Sequence, residues 1–166
     1  MGEKHKASIE WRGAVSGVLG ESIHYGDAAG GVTQGLLLWY SAVTLRDYNN
    51  RDYALKYIRN LRDKKISSTV ILWPRPIIMM ILGEQPFEEV LKTGSGSLLL
   101  AECIENAEVD LLKRRRLCQT LFYSACMDRN NGDETACMEK MWACFRLENP
   151  ILELEWYLAR VECVIE

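Results

Sequence analysis

Asn130-Asn131-Gly132-Asp133 restricts the fold more than any other stretch of this chain. An Asn-Gly helix stop is followed at once by a capping Asp, so two helices must meet in a tight corner. Similar punctuation recurs on either side. Gly94-Ser95-Gly96-Ser97 lets Ser97 cap a helix running to about Val109, and another is expected from about Asp110 to Arg129. The corner then starts a helix that runs to about Leu147. Asn149-Pro150 supplies a cap and a first helical residue for the last one, Ile151 to Ile165.

The first half reads the same way. Ser8 caps a first helix carrying Ile9, Trp11, Val15, Val18 and Leu19. Gly13, Gly17 and Gly20 lie along it, and their cost in helix stability suggests close packing of another backbone. A second helix is expected from Ala28 or Val32 to Tyr48, and a third from Arg51 to Lys65, with Asn49-Asn50 as break and cap. Residues 66–76 admit either a short strand or an extended approach to Pro74 and Pro76. Pro76 then opens a helix through Leu82, and Pro86 opens another that ends near Gly94.

The expected fold is therefore all-α, with about eight helices in stacked hairpins, as an irregular bundle or a short α-α superhelix. With 166 residues, 48% of them hydrophobic, the chain suits one domain over 1–166, frayed at 1–7. The longest apolar stretch, Val70 to Leu82, is too short and too broken by proline to span a bilayer. The N-terminus lacks the apolar region of a signal peptide, so the six cysteines read as free thiols in a reducing cytoplasm.

Chemical motifs are scarce. The only histidines are His5 and His24, no nucleophile elbow is present, and no cysteine spacing matches a zinc knuckle. Cys118, Cys137 and Cys144 fall on apolar helix sides and read as core. Glu21-Ser22-Ile23-His24 has the E-x-x-H spacing of di-iron bundles, but only once. Gly94-Ser95-Gly96-Ser97 lacks the lysine of a phosphate loop. Lys113-Arg114-Arg115-Arg116 wraps around its helix behind Glu102, Glu105, Glu108 and Asp110, which suggests internal charge balance. No catalytic residue, metal or cofactor is expected, and neither nucleic acid, membrane nor small molecule is expected as a partner.

A protein partner is expected instead. Net charge is −3, but Asp133, Glu134, Glu139, Glu148, Glu153, Glu155, Glu162 and Glu166 crowd the C-terminal end against Lys140, Arg146 and Arg160. On the last helix, Ile151, Leu154, Tyr157, Leu158, Val161, Val164 and Ile165 share a core face. Beside them runs an acidic strip of Glu155, Glu162 and Glu166, and then a second apolar line of Leu152, Trp156, Ala159 and Cys163. Either another helix of the chain covers that second line, or it is a binding ridge anchored on Trp156, with the glutamates steering a cationic partner.

The stretch from Leu98 to Glu166 resembles small all-helical bacterial immunity proteins of polymorphic and contact-dependent toxin systems. The segment LFYSACMDRNNGDETACMEKMWACFRLENPILELEWYLARVECVIE carries the likeness, in its helical hairpins, its Asn-Gly-Asp turn and its acidic finish. The resemblance implies a cytoplasmic inhibitor that binds one cognate toxin and occludes its active site. Many such toxins are basic nucleases, which would suit an acidic face. The rival readings are a helical-repeat adaptor that grips a peptide in a groove, and a metal enzyme centred on Glu21 and His24.

Overall fold

The stop and start signals recur along the chain, and helix follows helix between them. The computed structural model describes residues 2–24, 31–63, 73–147 and 153–164, the side chain of Val109 excepted. Among these residues are nine α-helices and no strand, so the fold is all-α, with one helix for each stretch that the punctuation delimits. They fall into two compact units, Met1–Ile78 and Met79–Glu166. The question of a strand at 66–76 lies largely outside the described residues.

The first unit contains α1 (Glu3–Leu19), α2 (Val32–Thr44) and α3 (Tyr48–Asp63). Its centre is α2, in which Leu36, Leu37, Leu38, Trp39 and Tyr40 are all buried, as suits a helix apolar on every side. Gly35 allows α3 to lie close. The Tyr57 ring occupies the space a Cβ would need, 2.5 Å from its ideal position. Tyr57 Oη then donates to the Gly31 carbonyl at 3.1 Å.

Three expectations for this unit need correction. The first helix begins at Glu3, so Ser8 lies inside it, buried, and accepts a hydrogen bond from Ser41 Oγ at 3.2 Å. Four-residue spacing puts Arg12 and Ser16 beside it. Arg12 stacks on the Tyr53 ring and donates to Asn50, and Ser16 hydrogen-bonds with Tyr53 Oη. Ser8 and Val15 face inward, Arg12 is half-buried, and Ser16 and Ile9 stay exposed. Among the described residues no backbone of another helix packs on the glycines: Gly13 is open, Gly17 makes room for Ile23 as the chain folds back, and Gly20 meets the carbonyl of Ser16 in its own turn. Finally, α2 stops at Thr44 and α3 starts at Tyr48, because Asp47 does the capping. Its carboxylate accepts from both the backbone N–H and the side-chain amide of Asn50.

A short helix, α4 (Arg75–Ile81), spans the division between the units and ends before Gly83, whose φ is +74°. The second unit continues with α5 (Phe87–Ser95), α6 (Leu100–Val109), α7 (Leu111–Asn130), α8 (Glu134–Phe145) and α9 (Leu154–Val164). The axis of this unit is α7, against which α5, α6, α8 and α9 all pack. Enclosure by four neighbours buries every residue from Leu117 to Cys126 except Gln119.

The corners of this unit follow the sequence closely. Asp133 accepts from Ala136 N–H and starts α8 as expected. Ser97 lies two residues outside the N-cap of α6, where it accepts from Leu99 N–H and donates to Glu102. Asp110 alone separates α6 from α7, and its carboxylate accepts from the N–H groups of Leu112 and Lys113. Arg114 turns back to donate to the carbonyls of Ala107 and Glu108, so it caps the end of α6.

Candidate interaction face

The last helix is rotated relative to its sequence reading. Of the residues expected on its core face, Leu154 is 42%, Tyr157 44% and Val164 57% exposed. The acidic strip and second apolar line face inward. Glu155 and Ala159 are buried, the Glu162 carboxylate is nearly so, and Trp156 and Cys163 are half-buried. Leu152 and Glu166, also proposed as contacts, lie outside the described residues. Covering by the chain itself therefore holds for Glu155, Ala159 and Glu162, and these do not form an outward ridge.

The reason is the polar content of α7, which leaves ionic partners inside the unit. Arg115 pairs with Glu153, and Gln119 Nε2 donates to Glu153 at 3.1 Å. Tyr123 Oη donates to Glu155 at 3.0 Å. Farther along, Arg129 binds Glu162 at 3.0 Å and Glu134 at 2.6 Å. Each acid of α9 thus meets a donor of α7 near one interface. An apolar core stripe would have faced the buried Tyr123 hydroxyl and the largely buried Arg129 guanidinium with no acceptor, which costs more than exposing a few aliphatic groups. Among the described C-terminal acids, Glu134, Glu153, Glu155 and Glu162 consequently have side-chain partners within the chain, and the expected acidic docking surface is reduced accordingly.

Glu155 has a second consequence. Burial pushes its carboxyl above the ordinary value of 4.5, against the opposing hydrogen bonds. The folded protein therefore keeps this proton over a pH range where the unfolded chain has lost it. The stability contributed by that proton is full at acid pH and falls as pH rises through the folded value. Glu155→Gln is expected to cancel this dependence, so the variant gains on the wild type as pH rises from 4 to 8. Urea denaturation across that range measures the difference, and a pH-independent gap would contradict the assignment.

With the acids turned in, the outward feature of α8 and α9 is aromatic. Trp142 and Phe145 lie 5.7 Å apart between ring centres, Phe145 and Trp156 5.3 Å, and Trp156 and Tyr157 5.1 Å. Trp156 is the fixed member of this ladder, since its indole N–H donates to the carbonyls of Phe145 at 2.9 Å and Leu147 at 3.2 Å. Those carbonyls belong to the end of α8, so the indole also caps a helix. Trp142 and Tyr157 present the exposed edges, and Arg146 lies over Trp142 at 5.6 Å. Sequence reasoning singled out Trp156 and placed Tyr157 in the core, because the rotation of α9 is set by polar pairing with α7; it did not single out Trp142 on α8.

The other candidate sites look different. Glu21 and His24 follow the end of α1, Glu21 with φ of +58°, and both are exposed. They do not share a helix face, so the geometric premise of an E-x-x-H metal centre fails. Among the described residues no group of three His, Cys, Asp or Glu side chains is placed to hold a metal. A cavity of about 400 Å³ opens beside the 83–87 turn. Within it Lys140 donates to Ser124 at 2.8 Å, pairs with Asp128 at 2.6 Å and lies over the Phe87 ring. The lysine is the donor to the hydroxyl, the reverse of a base activating a nucleophile. Among the described residues no helix is long and apolar enough to cross a membrane. Compared with known proteins, the chain matches no family model, no curated protein and no solved structure.

Proposed function

We propose that this protein acts by binding another protein, as a cytoplasmic inhibitor of the bacterial toxin-immunity kind. The aromatic ladder on α8 and α9 supports this reading. Aromatic side chains with few rotatable bonds give large contact area at little entropic cost, and Trp, Tyr and Arg are the residue types that dominate binding hot spots. Here Trp156 is locked by two hydrogen bonds, and it braces Tyr157 and Phe145 against movement. The partner contact shifts from the buried glutamates to Trp142, Tyr157 and Arg146. That removes the electrostatic argument for a basic nuclease in particular and keeps the argument for a protein.

The test is affinity capture from the native host, with Trp142→Ala/Tyr157→Ala as the matched control. One dominant partner should be retained by the wild type. The double variant should bind it at least about 30-fold more weakly, the effect of losing a hot spot of about 2 kcal/mol. Both side chains are partly exposed, so the variant should keep its thermal midpoint within a few degrees. Capture that ignores the double substitution would move the binding site elsewhere. Failure of the protein to relieve the toxicity of a co-expressed partner would defeat the inhibitor reading.

A further inference from the structure

Five of the six thiols belong to α7, α8 and α9: Cys118 and Cys126 on α7, Cys137 and Cys144 on α8, and Cys163 on α9. All six are unpaired. One pair stands out, because the Cys118 and Cys144 sulfurs are 3.5 Å apart and both residues are fully buried. Cys144 Sγ also lies 3.5 Å from the backbone carbonyl of Cys118. The two helices therefore approach closely enough at this level for a sulfur of one to touch the main chain of the other. Closing a disulfide asks for about 1.5 Å of further approach, within the reach of side-chain rotation and a small helix shift.

We propose that Cys118 and Cys144 are an oxidative modification site, at which a small two-electron oxidant of the peroxide class joins α7 to α8 by a disulfide. One thiolate attacks a peroxide oxygen, forming a sulfenic acid and releasing hydroxide, which takes a proton to become water. The second thiolate attacks that sulfur, the S–O bond breaks, and a second water leaves. Two thiols lose two electrons and two protons in all, and one peroxide becomes two waters.

The surroundings set the conditions. Cys118 is held well above the ordinary thiol range by its contact with Cys144 and by burial. Few thiolates exist at neutral pH, and the oxidant must enter through an opening of the α7–α8 interface. The pair thus resists brief exposure and closes under sustained oxidation, faster at alkaline pH. Cys126 and Cys137 are the internal comparison. They also belong to α7 and α8 and are raised by burial, Cys137 to about 11. A general tendency of buried thiols to oxidise would link that pair equally.

The full-length protein, oxidised with hydrogen peroxide at pH 8.5 and then alkylated, is the material for the test. Its mass without added alkyl groups at two cysteines should fall by two hydrogens. Trypsin cuts after Arg116, Arg129, Lys140 and Arg146, so the link should join the peptide 117–129 to the peptide 141–146. Fragmentation assigns the bond to Cys118 rather than Cys126. The thermal midpoint should rise by about 5–10 °C, as expected for a closed loop of this length, and dithiothreitol should restore the original value. Cys126→Ser should leave the cross-link intact. Linkage of 126 to 137 as the main product, or over-oxidation without any 118–144 link, would overturn the proposal.

Discussion

Replacing Arg129 by alanine is expected to lower stability by about 3–5 kcal/mol, the loss typical of breaking a buried ion pair on one side. The guanidinium binds Glu162 and Glu134, and only the Glu134 carboxylate is well exposed. Removing Arg129 takes a cation 3.0 Å away from the buried Glu162 carboxylate, and breaking a buried pair on one side costs far more than the ion pair contributes. Arg129→Ala/Glu162→Leu should therefore recover most of the loss, since neither charge is then buried alone. Chemical denaturation of the three proteins decides the matter. A single-variant loss below about 1 kcal/mol would place this pair among ordinary surface salt bridges.

The second large effect is expected at Gly35. Alanine is favoured over glycine in a helix by about 1 kcal/mol, so propensity alone predicts a gain. A Cβ there would meet Tyr57 Cδ1 at 2.5 Å. The ring is buried and tied to the Gly31 carbonyl, so it cannot swing away without breaking that bond. Gly35→Ala should therefore lose about 2–3 kcal/mol, and Gly35→Val more. Gly13, with open space around it, is the control: Gly13→Ala should gain up to about 1 kcal/mol. Equal gains at both positions would mean that Tyr57 does not pack as described.

Helices were legible in the sequence where backbone punctuation is strong. Gly132 with Asp133 and Pro86 act within a few residues of themselves, and each marks a boundary close to where the structure has it. Boundaries failed where two residue types competed for one task. Asp47 took the cap that Asn49-Asn50 was expected to supply, because a carboxylate accepts from a backbone N–H and a side-chain amide at once.

The candidate site was less legible, for a physical reason. Helix periodicity tells which residues share a face but not which face meets the interior. On α9 two faces were available, and hydrophobicity favoured Leu154, Tyr157 and Val164. The choice was made by Arg115, Gln119, Tyr123 and Arg129 on α7, more than thirty residues away in sequence. Trp156 was found because tryptophan is large and sits on a chemically mixed helix. Its neighbour Tyr157 had to wait for the rotation.

The corner at Asp110 has a different kind of significance. Its carboxylate closes the open donors of α7, and Arg114, four residues on, closes the open acceptors of α6. The four bonds just named all lie within residues 107–114. Contacts this local form on the timescale of helix growth itself, long before remote segments can meet. The direction in which α7 departs from α6 is thus written early. On that ground the pairing of α7 donors with the acids of α9, more than thirty residues away, is expected to form after this bend.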